Sequence, residues 1–192
     1  MDPIEAGDHL AMVDRIIATA DRSVRVRGTL FIIWGIAGAL VDGTIQAALS
    51  FGSAFRWWFW IPAVVVYFGA IAAQVYHMKH YRRLGRLNLV EAQFIRLIGI
   101  SSFAAAVGAL GGWYIFAGWP QAALWSLCLS IPLLFVGVQG HRYALAGGAA
   151  LLASIVVANF TPHAVGLTLA IGFLVGYAGA GVAFEVLRAD NG

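Results

Sequence analysis

Charged residues are scarce in this chain. Only 11% of its 192 residues are Asp, Glu, Lys or Arg, whereas 61% are hydrophobic. Soluble domains carry about 25% charged residues, and a soluble fold of this length could not bury so much apolar surface. This composition excludes an ordinary soluble protein and predicts an integral membrane protein.

Cysteine and recognisable catalytic motifs are also lacking. Cys128 is the only cysteine, so no intramolecular disulfide can form. The sequence contains no GxGxxG, P-loop or HExxH pattern. None of the apolar stretches contains a lysine, which excludes a retinal Schiff base. We therefore expect no cofactor, and an integral membrane enzyme acting on a lipid or quinone is the least favoured of three functional hypotheses.

Six long apolar stretches are present instead. Each has roughly 18 to 24 residues, the length with which a helix crosses about 30 Å of hydrocarbon. Backbone polar groups in lipid must be satisfied within their own segment, which favours helices over open strands. The sequence predicts an all-α membrane protein of six transmembrane helices, with spans at residues 28–50, 57–76, 97–119, 121–138, 143–160 and 164–187.

An amphipathic helix at the membrane interface is predicted ahead of the first span, over residues 1–27. Leu10, Val13 and Ile17 recur there at helical spacing. Arginines interspersed among them would face lipid headgroups or a partner. The alternative is a helix that only rests on the membrane or packs on its own bundle. At the other terminus, residues 188–192 are predicted to form a short tail.

Basic residues are distributed unevenly between the two ends of the predicted spans. Of the twelve Lys and Arg residues, all but Arg56 fall on the side of the two termini. Because cytoplasmic loops carry an excess of Lys and Arg, both termini are predicted to be cytoplasmic. The expected location is a cell membrane, the inner membrane if the protein is bacterial. The same placement explains the net charge of +3 without a nucleic-acid partner.

Polar surface is concentrated on the predicted cytoplasmic side, because the outer connections are only a few residues long. The N-terminal helix and residues 77–96 supply this surface. Their basic side chains form a candidate contact surface: Arg15, Arg22, Arg25, Arg27, Lys79, Arg82, Arg83 and Arg86. The favoured hypothesis is an accessory or sensory membrane protein that engages a cytoplasmic protein partner or anionic membrane lipid there.

Asp42 lies deep in the first span, about 21 Å along its axis and toward the outer leaflet. An ionised carboxylate near mid-membrane costs about 3 kcal/mol, so Asp42 should face protein or water, or be protonated. With Gln46, Arg56 and His163 it forms a candidate outward-facing polar site. Such a site suits a small transporter or channel in which Asp42 responds to protons or cations. A structural Asp42–Arg56 pair or a water-filled crevice is the alternative interpretation.

Small residues repeat at the spacing of closely packed helices. Gly108 and Gly112 form one GxxxG pair, and Gly172 and Gly176 form another. Such faces allow close helix contact through van der Waals packing. They predict close packing inside the bundle, with a homo-oligomer through the Gly-rich sixth span as the alternative. Pro132 predicts a kink in the fourth span.

Two histidines are spaced for one face of a helix at the end of the second span. His77 and His80 are three residues apart, a spacing that can share a metal or flank a haem. Two ligands do not complete a site, and the neighbouring Lys79 and Arg82 would repel a cation. We therefore expect no metal site here.

The N-terminal region carries a resemblance to known sequences. The run MVDRIIATADRSVRVRG, from Met12 to Gly28, leads into a Gly/Ala-rich first span. This start resembles a group of uncharacterised bacterial six-helix membrane proteins. A basic segment after the second span (Tyr81–Gly85) and a Gly-rich final helix (Ile171–Gly176) continue the resemblance. It implies the six-helix layout with an amphipathic N-terminal segment, and it implies no activity.

Overall fold

The computed structural model describes residues 12, 26–51, 56–84, 89–111 and 119–190. This part of the chain is all-helical, with no strand among the described residues. The predicted amphipathic helix over residues 1–27 lies almost entirely outside the described residues. So do four basic residues of the predicted contact surface: Arg15, Arg22, Arg25 and Arg86.

The helices follow one another with short connections. The first five are Thr29–Ser50 (α1), Arg56–Arg83 (α2), Leu89–Gly111 (α3), Trp119–Val138 (α4) and Arg142–Phe160 (α5). A 3-10 turn, Pro162–Ala164, then leads into Val165–Phe173 (α6), a π-helical turn at Leu174–Ala178, and Gly179–Asp190 (α7). These last four segments form one continuous sixth span, Pro162–Leu187. The prediction of six helices long and apolar enough to cross a membrane is confirmed.

The helices extend beyond the predicted spans around the connection between α2 and α3. Helix α2 continues from the predicted end of its span at Tyr76 to Arg83, and α3 begins at Leu89, eight residues before the predicted span. Apolar length indicates where hydrocarbon surrounds a helix, whereas the backbone hydrogen bonding continues past it. Most of residues 77–96 is therefore helix, with residues 85–88 outside the described part.

Neighbours in sequence are largely neighbours in space. Helix α1 packs against α2 and the sixth span, α5 packs against the sixth span and α4, and α4 packs against α3. Aromatic rings from three of these helices pack together inside the bundle. Phe31 of α1 stacks on Phe94 of α3 with ring centroids 4.1 Å apart, and Phe184 of α7 lies 5.3 Å from Phe31.

The surface of the bundle is apolar. Large hydrophobic side chains are exposed on every long helix of the described region, among them Leu40, Trp58, Phe68, Phe103, Ile131, Phe160 and Val175. A water-soluble monomer rarely exposes apolar area on this scale, so lipid is the solvent that fits these faces.

Glycines bring helix backbones into direct contact. A Cβ atom on Gly181 would lie 2.7 Å from the Gly28 carbonyl oxygen, joining α7 to the start of α1. A Cβ on Gly176 would lie 2.6 Å from the Gly147 carbonyl oxygen, joining the π turn to α5. Gly172 likewise packs against Ser154 of α5. The second predicted GxxxG pair is thus used within the bundle, whereas Gly112 of the first lies outside the described residues.

The fourth and sixth spans carry irregular features at adjoining positions. Pro132 lies inside α4 and cannot donate a backbone hydrogen bond to the Cys128 carbonyl. Tyr177, in the π turn, is fully buried and its hydroxyl donates to the Leu129 carbonyl. This hydrogen bond ties the widened turn of the sixth span to the turn of α4 that contains the proline.

Candidate functional site

Asp42 is enclosed within the bundle. Its side chain is 4% exposed, and Oδ2 has no hydrogen-bond partner among the described residues. The first turn of α6 packs closely on this part of α1, because a Cβ on Gly166 would lie 2.5 Å from the Asp42 carbonyl oxygen. Asp42 is therefore a buried carboxyl group rather than the open wall of a pocket.

Gln46, one turn further along α1, fastens the start of the sixth span. Its Nε2 donates to the His163 carbonyl oxygen at 2.8 Å, and its Oε1 accepts from the Gly166 backbone N–H at 3.0 Å. The first amides of a helix have no partner inside that helix. Gln46 supplies one of these partners from a different helix, so both ends of its amide are occupied.

The other two members of the predicted outward-facing site are placed differently. The imidazole of His163 is exposed, and only its backbone carbonyl meets Gln46. Arg56 is the first residue of α2, and its side chain lies outside the described part of the structure. The structure therefore brings together Asp42, Gln46 and the backbone of His163. The Asp42–Arg56 pair stays a prediction.

Charged residues collect at the opposite end of the bundle. Among the described residues with charged side chains, only Asp42 and Arg56 lie in the half of the bundle where α1 ends and α2 begins. The others lie where α1, α3 and α5 begin and α2, α4 and α7 end. We call this the charged end; its described side chains are Arg27, Lys79, Arg82, Arg83, Glu91, Arg96, Arg142 and Glu185.

A buried ion pair fixes the chain as it enters α1. Glu91 is 2% exposed, and its carboxylate accepts the Arg27 backbone N–H at 3.0 Å. The Arg27 guanidinium lies 3.7 Å from the same carboxylate and 3.8 Å from the centroid of the Tyr81 ring. Residues from the start of α1, the end of α2 and the first turn of α3 thus meet here. Arg27, predicted as part of the contact surface, is engaged inside the protein.

Glu185 of α7 caps the N-terminus of α1. Its Oε1 accepts both the Thr29 backbone N–H and the Thr29 hydroxyl, each at 3.0 Å. A carboxylate at a helix N-terminus satisfies an unpaired amide and interacts favourably with the helix dipole. The sixth span is therefore fastened to α1 at both ends, by Glu185 here and by Gln46 at the far end.

His77 is buried beside this ion pair. It is 6% exposed, its Nε2 has no hydrogen-bond partner among the described residues, and its ring lies 4.4 Å from that of Tyr81. His80 is exposed, and its ring lies 5.0 Å from that of Tyr81 in an edge-on arrangement. In the described part of the chain no group of three or more His, Cys, Asp or Glu side chains is placed to hold a metal. Both histidines instead contact the Tyr81 ring.

Three members of the predicted contact surface are exposed. Lys79, Arg82 and Arg83 are exposed on the last turns of α2. They differ in this respect from Arg27, whose guanidinium is turned inward. The exposed basic surface that the structure describes on α2 is therefore concentrated in two helical turns.

Sequence reasoning did not identify Glu91, or the buried hydrogen bond from Trp34 Nε1 to Gln74 Oε1 at 2.6 Å. Glu91 stands between basic residues at the edge of an apolar stretch, where a carboxylate is typical of solvated surface. The one available signal was its position in the first turn of a helix. Gln74 offered a clearer signal, since an amide within an apolar span needs a partner.

Comparison with known protein families, with characterised proteins and with solved structures finds no match to this chain. The resemblance to bacterial six-helix membrane proteins therefore stays a prediction.

Proposed function

We propose that this integral membrane protein is an accessory or sensory protein that works through its charged end, which faces the cytoplasm and engages an anionic partner. The observation that carries the proposal is the exposed group Lys79, Arg82 and Arg83 on the last turns of α2. The positive-inside bias of membrane proteins supports a cytoplasmic position for this end.

Among the described residues, the opposite end offers little surface for a partner. Only five residues separate Ser50 from Arg56, and a single residue, Thr161, separates α5 from the 3-10 turn. Gln46 is occupied there by the start of the sixth span. A soluble partner would find few free polar groups at this end among the described residues.

Internal contacts hold the charged end in one arrangement. The Arg27–Glu91 pair joins α1 to α3, and Gln139 at the end of α4 donates to Gln93 of α3 at 3.2 Å. Because the Arg27 guanidinium also lies over the Tyr81 ring of α2, the exposed basic side chains of α2 project from a preorganised base. Preorganisation lowers the entropic cost of binding.

The test combines removal of residues 1–25 with Lys79→Gln, Arg82→Gln and Arg83→Gln. Deleting residues 77–96 is unsuitable, because buried side chains of the core lie in that range. The altered protein should insert and fold normally but lose capture of its partner, whether an acidic protein or anionic vesicles. Arg56→Gln, which removes one cation at the other end, is the control and should keep capture. Undiminished capture by the altered protein would refute the proposal.

A small transporter or channel is the second candidate, and Asp42 is the observation that favours it. A buried carboxyl group inside a membrane is a candidate functional site, and Oδ2 of Asp42 has no hydrogen-bond partner among the described residues. Reconstituted protein should then carry protons or sodium ions across liposomes, and Asp42→Asn should reduce the flux to that of empty liposomes. Thr44→Val is a matched control, because the Thr44 hydroxyl is bonded to the Val41 carbonyl. Equal flux through wild type and Asp42→Asn would remove this candidate.

A further inference from the structure

The side chains of α2 separate into a buried face and a lipid-facing face. From Ile61 onward, exposed residues recur at helical spacing: Ile61, Val65, Phe68, Ala72, Tyr76, Lys79 and Arg83. The buried residues fall on the opposite face: Ala63, Ala70, Gln74 and His77. Lys79 and Arg83 therefore continue the line of side chains that faces the hydrocarbon.

Tyr76 marks the level at which this line leaves the hydrocarbon. It is 72% exposed, and tyrosines with an apolar ring and a polar hydroxyl concentrate at the membrane interface. At 1.5 Å per residue, Lys79 and Arg83 lie roughly 5 and 10 Å further along the axis. That is the depth of lipid headgroups. The long side chains of both residues can bend toward phosphate groups while their stems remain against lipid.

Neither of the two carboxylates whose side chains are described at the charged end competes for these two cations. Glu91 is held by Arg27, and Glu185 by Thr29. Lys79 and Arg83 are four residues apart, so their charged groups can reach one phosphate together. An arginine guanidinium binds phosphate through two parallel hydrogen bonds, and lysine adds a point charge.

We propose that Tyr76, Lys79 and Arg83, here called the α2 ridge, bind the phosphate of an anionic phospholipid in the surrounding leaflet. The inference rests on the proposed function and sharpens it by naming the partner. A lipid fits better than a protein, because the ridge lies on the side of α2 that faces the bilayer. A cytoplasmic protein would have to displace headgroups to reach it.

The experiment uses the purified full chain in detergent micelles doped with phosphatidylglycerol or phosphatidylcholine, with bound lipids counted by native mass spectrometry. The variant Lys79→Gln/Arg83→Gln should bind phosphatidylglycerol on the order of thirty-fold more weakly, since each cation near an anionic surface contributes about a five-fold factor. Lys79→Arg/Arg83→Lys keeps both charges and should retain most of the binding. Neither variant should alter folding, because both side chains are exposed.

The matched control is Arg96→Gln/Arg142→Gln, which removes the same charge from exposed positions on two other helices of the charged end. It should keep phosphatidylglycerol binding close to that of wild type. An equal loss in both double variants would mean general charge attraction and would overturn the ridge while leaving the proposed function intact. Wild-type lipid binding by Lys79→Gln/Arg83→Gln, together with lost binding of a polyglutamate peptide, would also overturn it and assign the ridge to an acidic protein. Absence of both kinds of binding in the wild-type chain would refute the ridge and the proposed function together.

Discussion

Gly147→Ala tests a close backbone contact between α5 and the sixth span. A Cβ atom at Gly147 would overlap the Gly176 carbonyl oxygen, and it would also lie 3.1 Å from the Gly176 carbonyl carbon and 3.3 Å from the Ala180 Cβ. Carbon atoms pack best at about 3.5–4.0 Å. Because the main obstacle is backbone, no side-chain rotation relieves the overlap, and α5 and the sixth span must move apart.

The size of the effect follows from two opposing contributions. Overpacking a close-packed site costs about 1–3 kcal/mol, and a backbone obstacle places this site at the upper end. Alanine in place of glycine inside a helix recovers about 1 kcal/mol. We therefore expect Gly147→Ala to lower the free energy of unfolding by about 2 kcal/mol.

The assay is reversible unfolding in mixed micelles with increasing SDS, followed by tryptophan fluorescence. Gly99→Ala is the matched control, because it is a helical glycine with open space where its Cβ would lie. That variant should match wild type or be slightly more stable. If Gly147→Ala is as stable as the control, the direct backbone contact between α5 and the sixth span is refuted.

Three further variants probe the polar contacts. Gln74→Leu should lower the free energy of unfolding by about 1 kcal/mol in the same titration, because the Trp34 indole N–H loses its partner inside the bundle; wild-type stability would contradict this hydrogen bond. Glu185→Gln should cost about 0.5–1 kcal/mol and speed hydrogen exchange at the Thr29 amide, because a neutral amide interacts less with the helix dipole; unchanged exchange would count against the cap. Gln46→Leu should speed exchange in the first turn of the sixth span with little global effect, since the two bonds it removes are local; retained protection there would show that Gln46 does not hold this turn.

Hydropathy and segment length predicted the six helices because each prediction depends on one segment alone. Each segment must satisfy its own backbone in lipid, and a segment such as Trp119–Val138 carries that requirement in its composition. Helix ends were harder to predict. The seven residues from His77 to Arg83 are mostly polar but continue the backbone hydrogen bonding of α2, so the length of the apolar stretch does not show where this helix ends.

The candidate site divides in the same way. The burial of Asp42 was predictable from its depth in the first span, because an ionised carboxylate is excluded from lipid-facing positions. The role of Gln46 was not, since its two partners lie 117 and 120 residues away. Glu91 was missed for the same reason: its burial depends on Arg27, 64 residues earlier in the chain. Contacts at such separations leave no periodic pattern in either segment.

Because of the π turn, the sixth span contains one residue more than a regular α-helix of the same axial length. Phe173 and Ala178 both pack against α1, opposite Gly38 and Gly35, although they are five residues apart. Residues on one face of a regular α-helix are three or four apart. The wider turn absorbs the additional residue, and the Tyr177 hydroxyl in this turn reaches α4. A one-residue deletion within this turn would therefore leave α7 in register with α1. The same deletion in α6 would rotate the helix after the deletion by about 100° relative to the helix before it.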